Sequence, residues 1–141
     1  MYFTTNTYNP GLLMLMESFD QMILVSDEAF SIRYMASAID AAYHDLLPSF
    51  FAIETRTGEW EMLSGNKTLN AIRQYLSGGE AYPEDGMIED LRGKKFNELS
   101  RVTKRKLGNK TIPINMFVLF SGNKGKEDSF RAFVKSAITL I

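Results

Sequence analysis

The chain of 141 residues carries 16 Lys and Arg against 17 Asp and Glu, a net charge of −1, with no cysteine and one histidine. That is the size of one domain, 1–141, able to bury roughly 70% of its unfolded surface. The counts exclude disulfides, thiolate metal sites, a cysteine nucleophile and a His-rich metal centre, and the near-zero charge gives no global pull toward nucleic acid.

No apolar run approaches the ~18–20 residues that span a bilayer. The run Leu12-Leu13-Met14-Leu15-Met16 follows Pro10-Gly11 without a basic segment before it, so it reads as a buried helix or strand rather than a signal peptide. Cytoplasmic residence, with no membrane partner, is the expectation.

Residues 1–10 read as a loose polar and aromatic arm, and Leu12 to Phe19 as a short helix. Met22-Ile23-Leu24-Val25 has the character of a short buried strand bounded by Ser26-Asp27-Glu28. From Ser31, an N-cap residue, Ile32, Met35, Ala36, Ile39, Ala42, Tyr43 and Leu46 fall on one helical face, and Pro48 stops the helix. His44, near that helix's C-terminus, fits the helix dipole. Strand-like runs at 50–54 and 59–63 flank Thr55-Arg56-Thr57-Gly58, where Gly58 can supply the positive φ of a hairpin loop.

Trp60 to Leu76 predicts a strand, a polar turn around Gly65 and an amphipathic helix with Leu69, Ile72, Tyr75 and Leu76 inward, ending at Ser77-Gly78-Gly79. A glycine turn running into a helix start presents unpaired N–H groups and the positive end of the helix dipole, which suits a phosphate.

Residues 80–90 hold five acids and no base, and predict a surface loop. Leu91 to Phe96 predicts a turn with short extended flanks, and Ser100 caps a basic helix from Arg101 to Leu107 that stops at Gly108-Asn109. Thr111 to Phe120 is the strongest strand, with Pro113 restricting its beginning to an edge or bulge. Asp128 to Ile138 predicts a closing helix with Phe130, Phe133, Val134 and Ala137 inward. Strands and helices mix without regular βαβ alternation, so the fold class is α+β.

An ordered set of motifs goes further. It comprises Asp45-Leu46-Leu47-Pro48, the hairpin, Trp60-Glu61-Met62-Leu63-Ser64-Gly65-Asn66-Lys67-Thr68-Leu69, then Leu91-Arg92-Gly93-Lys94-Lys95-Phe96-Asn97-Glu98-Leu99 and Thr111-Ile112-Pro113-Ile114. In order and spacing over most of residues 22–120, it resembles the N-terminal domain of the GmrSD-type, modification-dependent restriction endonucleases. The resemblance implies a ParB/sulfiredoxin-like fold, a small mixed sheet with flanking helices. It also implies a nucleotide pocket at the Gly65 turn and a setting in restriction and phage defence. Where the family carries an acid, two glutamines and an arginine, this chain has Ser64, Asn66, Lys67 and Thr68, and no Gln-Arg pair stands near Asp27-Glu28. Lysine replaces a bidentate arginine clamp only as a point charge. The resemblance therefore implies a retained scaffold with reduced chemistry.

The candidate ligand-binding set is Ser64, Gly65, Asn66, Lys67 and Thr68, with Asp27 and Glu28 placed to hold Mg²⁺ beside the phosphates of a nucleoside triphosphate. The turn is not a P-loop, since Asn66 and Glu61 stand where that motif needs glycines. The plainer reading is a structural turn in which Ser64 or Asn66 caps the helix, with Asp27 and Glu28 as ordinary turn acids. A nucleic-acid candidate is Arg101, Lys104, Arg105 and Lys106, inside a segment 92–110 with eight bases against Glu98. The plainer reading there is a solvated face paired with the neighbouring acids. Three functions follow in order: a degenerate nucleotide- or phosphate-binding regulatory domain, a non-catalytic module for a protein or DNA partner, and an active nuclease. The last needs the acid and arginine that the motif has exchanged.

Overall fold

In the computed structural model, which describes residues 3–18, 22–23, 30–55, 57–119 and 126–138, a mixed five-stranded sheet runs in the order β1-β5-β3-β4-β2. Its strands are β1 (Phe3–Tyr8), β2 (Met22–Ile23), β3 (Phe50–Glu54), β4 (Trp60–Met62) and β5 (Ile114–Leu119). The helices are α1 (Leu12–Ser18), α2 (Ile32–Tyr43), α3 (Asn66–Leu76), α4 (Arg101–Gly108) and α5 (Glu127–Ile138), with 3-10 turns at Glu89–Leu91 and Phe96–Glu98. The fold is α+β, as expected.

Residues 3–8 are not a loose arm. They pair antiparallel with β5, from Phe3 opposite Leu119 to Tyr8 opposite Ile114. β5 therefore sits inside the sheet, with β3 parallel to it on its other side. Pro113 lies just before β5, where its missing N–H costs no ladder bond, and its carbonyl accepts from Phe50 N–H at 2.9 Å.

The registers sort the side chains onto two faces, because successive residues of a strand alternate. One face presents Met22, Phe50, Ala52, Met62, Ile114 and Met116, and with α1, α2 and α3 it builds the main core. The opposite face presents Phe3, Phe51, Ile53, Phe117 and Leu119 and is covered by Phe130 and Val134 of α5. There Arg131 of α5 binds Glu61 of β4, with Nη2 at 2.9 Å from Oε1, and also pairs with Glu127 and Asp128. Burying a charge is tolerable when it is paired and hydrogen-bonded in this way.

The helix boundaries follow local chemistry. Ser31 and Ser100 cap α2 and α4 by accepting from Tyr34 N–H at 3.0 Å and Thr103 N–H at 3.2 Å. α2 stops before Pro48 because Asp45 takes φ 58°, while Leu46 N–H reaches Ala41 O and Asp45 N–H reaches Ala42 O. This paired arrangement satisfies the last carbonyls. The chain thus leaves the helix axis ahead of Leu46, which is exposed rather than inward, as is Ile32 at the other end. On α5, Phe133 and Ala137 are likewise exposed, and Phe130 and Val134 face the sheet.

The acidic stretch 80–90 is a loop, but an anchored one. Tyr82 is buried, its hydroxyl donates to Asp40 of α2 and accepts from Ile88 N–H at 3.1 Å, and Arg33 pairs with Asp85 in a fork. Leu91 to Phe96, expected as a turn with extended flanks, is instead bracketed by the two 3-10 turns, with Gly93 at φ 68° between them. Among the described residues no helix is long and apolar enough to cross a membrane.

Candidate functional site at the start of helix α3

The turn after β4 is built from the strand outward. Leu63 and Ser64 N–H groups both reach Phe51 O, at 2.8 and 3.3 Å, and Ser64 Oγ accepts from Phe51 N–H at 2.9 Å. This exchange ends the β3–β4 pairing. Gly65 then turns the chain with φ 77° and ψ 10°, the left-handed region in which a side chain is strained. A Cβ there would also lie 2.6 Å from the Phe50 ring. Glycine is required on both counts.

α3 starts at Asn66 with Gly65 as its N-cap and no side chain capping it. Neither Ser64 nor Asn66 is the expected cap. Ser64 is committed to β3, and Asn66 Nδ2 donates backwards to Met62 O at 3.3 Å. The dipole end of the helix is therefore left to backbone groups.

Tyr34 completes the arrangement. It sits in the first turn of α2, and its hydroxyl shares a 2.7 Å hydrogen bond with Thr68 Oγ1 in the first turn of α3. The Lys67 ammonium lies 4.4 Å from the centre of the Tyr34 ring. Two helix N-terminal turns thus meet beside one lysine, which has no carboxylate partner among the described residues. Residues 64–68 are all half-buried, and they include neither a carboxylate nor an arginine. The site can hold negative charge, and residues 64–68 offer no carboxylate or imidazole for acid–base work.

The structure brings Ser64, Gly65, Asn66, Lys67 and Thr68 together as expected, but binds the side chains of Ser64, Asn66 and Thr68 to the protein. Asp27 and Glu28 lie outside the described residues, and no group of three or more metal-ligating side chains occurs among those described. Tyr34 was missed by sequence reasoning. It carries no motif, and its role depends on two helices 34 residues apart in the chain.

The basic candidates lie elsewhere, on α4. Leu107 and Thr103 are buried, while Arg101, Arg105 and Lys106 face water and Lys104 is half-buried. The Lys106 ammonium lies 4.9 Å from the Tyr43 ring, and the Tyr43 hydroxyl beside it raises its pKa. Lys110 pairs with Asp45 at 3.2 Å. Arg101, Lys104 and Arg105 make no ion pair among the described residues, and Asp85 of the acid loop pairs with Arg33 of α2 instead. Pairing with the neighbouring acids therefore does not account for this face.

An apolar cavity of about 120 Å³ lies between the sheet and α5, lined by Phe51, Phe117, Phe133, Val134, Ala137 and Ile138. It offers no polar group for a phosphate. Comparison with protein-family models, with curated proteins and with solved structures finds no match to this chain.

Proposed function

We propose that this chain is a cytoplasmic nucleotide- or phosphate-binding regulatory domain with a ParB/sulfiredoxin-like scaffold. Its kinship would be to the GmrSD N-terminal domain, with the hydrolytic groups shed. The observation that carries the reading is the meeting of the α2 and α3 first turns at Lys67, through Tyr34 and Thr68. Two dipole ends and one ammonium sum to a positive potential in a half-buried setting, where screening is weaker than at the open surface. Backbone groups at Gly65 to Thr68 would take phosphate oxygens, and Lys67 would swing from Tyr34 to add its charge. A triphosphate would arrive with Mg²⁺, and Asp27 and Glu28 are the residues proposed to share that ion.

Thermal denaturation with ATP, GTP and CTP plus Mg²⁺, and with inorganic phosphate, tests the proposal. A nucleotide at 100 times its dissociation constant adds about 2.7 kcal/mol. Lys67→Met, which keeps an aliphatic stem against Tyr34, removes most of that shift. An unchanged melting temperature with every nucleotide at millimolar concentration overturns the reading.

The second reading is a non-catalytic module for a DNA or protein partner, favoured by Arg101 and Arg105 on the outer face of α4, which make no ion pair among the described residues. Anisotropy of a labelled duplex against salt decides it. Binding that weakens steeply with salt, and that Arg101→Ala and Arg105→Ala diminish, supports a phosphate backbone as the partner.

A further inference from the structure

We infer that β1 pairs antiparallel with β1 of a second copy of this chain, across a two-fold axis at Thr5, making one continuous sheet. β1 is the edge of the sheet, and among the described residues only β5 pairs with it. Exposed edges are normally blunted by charge, proline, a bulge or shortness. β1 has none of these defences. It is six residues long, reads Phe-Thr-Thr-Asn-Thr-Tyr, keeps a constant register against β5, and is exposed from Thr4 to Tyr8.

The hydrogen-bond direction fixes which register a second copy can take. Ile112 N–H donates to Pro10 O and Leu12 N–H to Lys110 O, so residues 10 and 112 form a hydrogen-bonded pair of the ladder. Such pairs alternate along an antiparallel ladder. With no bulge in the register, Thr4, Asn6 and Tyr8 bond inward to β5, and Phe3, Thr5 and Thr7 point N–H and C=O outward. A symmetric partner must therefore match odd residues with odd. The central solution sets Thr5 opposite Thr5, Phe3 opposite Thr7 and Thr4 opposite Asn6. Every opposed pair is uncharged, so self-pairing meets no like-charge penalty, and β-branched threonines suit cross-strand contact.

Sedimentation velocity of the full chain from micromolar to high-micromolar concentration, with three variants, tests the inference. Thr5→Pro removes an outward N–H and no β1–β5 bond, and Thr5→Lys sets two ammonium groups against each other on the axis. Each weakens association about tenfold or more, with far-UV circular dichroism unchanged. If proline disturbs the fold, the lysine variant decides alone. The chain has no cysteine of its own, so Thr5→Cys reports on register directly. Opposed Cα atoms about 5.5 Å apart lie within disulfide range, so this variant oxidises to a covalent dimer while exposed Thr57→Cys does not. A wild-type chain that stays monomeric overturns the inference and leaves the edge to a strand of another protein. A dimer that both Thr5→Pro and Thr5→Lys leave intact overturns it as well.

Discussion

The start of α3 and the outer face of α4 are both rich in polar groups, yet they spend them differently. At α3, Ser64, Asn66 and Thr68 each bond within the protein, and Lys67 rests on an aromatic ring. At α4, Arg101 and Arg105 face water and make no ion pair among the described residues. The first arrangement is shaped and held, so a ligand there would be selected by fit. The second would act through charge alone and be erased by salt. A polar cluster and a binding surface are therefore different things, and the energetics of substitution should separate them.

The largest effect is expected at Gly65. Gly65→Ala combines left-handed strain with overlap on Phe50 and should cost about 3 kcal/mol in urea denaturation. A loss under 1 kcal/mol would mean the turn is soft, and the contrast with α4 would weaken.

Tyr82 is a second anchored group. Tyr82→Phe leaves Ile88 N–H without its acceptor and Asp40 without its donor, a loss of about 2 kcal/mol. Burial, with the Asp40 hydrogen bond second, pushes the Tyr82 hydroxyl up to about 12. Its folded pKa stands above the unfolded value of about 10, so its contribution is present in full below pH 10 and is lost as pH rises toward 12. Stability measured between those limits should fall more steeply for the wild type than for Tyr82→Phe.

Ser64→Ala strips the acceptor from Phe51 N–H, and chemical denaturation should register about 1 kcal/mol. Lys67→Met should move stability by only about 0.5 kcal/mol, the worth of a cation–π contact that water still reaches, while removing the nucleotide-induced thermal shift. Smallest of all, Arg105→Ala should stay within about 0.5 kcal/mol of the wild type, because its exposed side chain makes no hydrogen bond or ion pair among the described residues. An equally large loss at Arg105 and Ser64 would dissolve the distinction between the two regions.

Much of the fold was legible before any tertiary contact was known. The β3–β4 hairpin, its Gly58 loop at φ 81°, the buried stripe of α3 and the caps Ser31 and Ser100 all came out as expected. The glycine turn at Gly65 ahead of a helix was legible too. The partners of the residues around it were not. Tyr34 looked like one more residue on an amphipathic helix, and the acid loop looked free to neutralise the basic segment that follows it.

What the sequence determined by itself are the events that neighbours along the chain settle: caps, positive-φ turns and hydrophobic periodicity. Tertiary structure alone decided the rest. β1 became a strand because β5 offered it a ladder, and Thr7 and Asn115, which share a hydrogen bond, are 108 residues apart. The α3 turn became a candidate anion seat because α2 delivers Tyr34 to it. Asp85 of the acid loop pairs with Arg33 of α2 rather than with a base of α4. Each of these depends on groups distant in sequence that only burial of a shared core brings within a few ångströms, and local patterns carry no record of it.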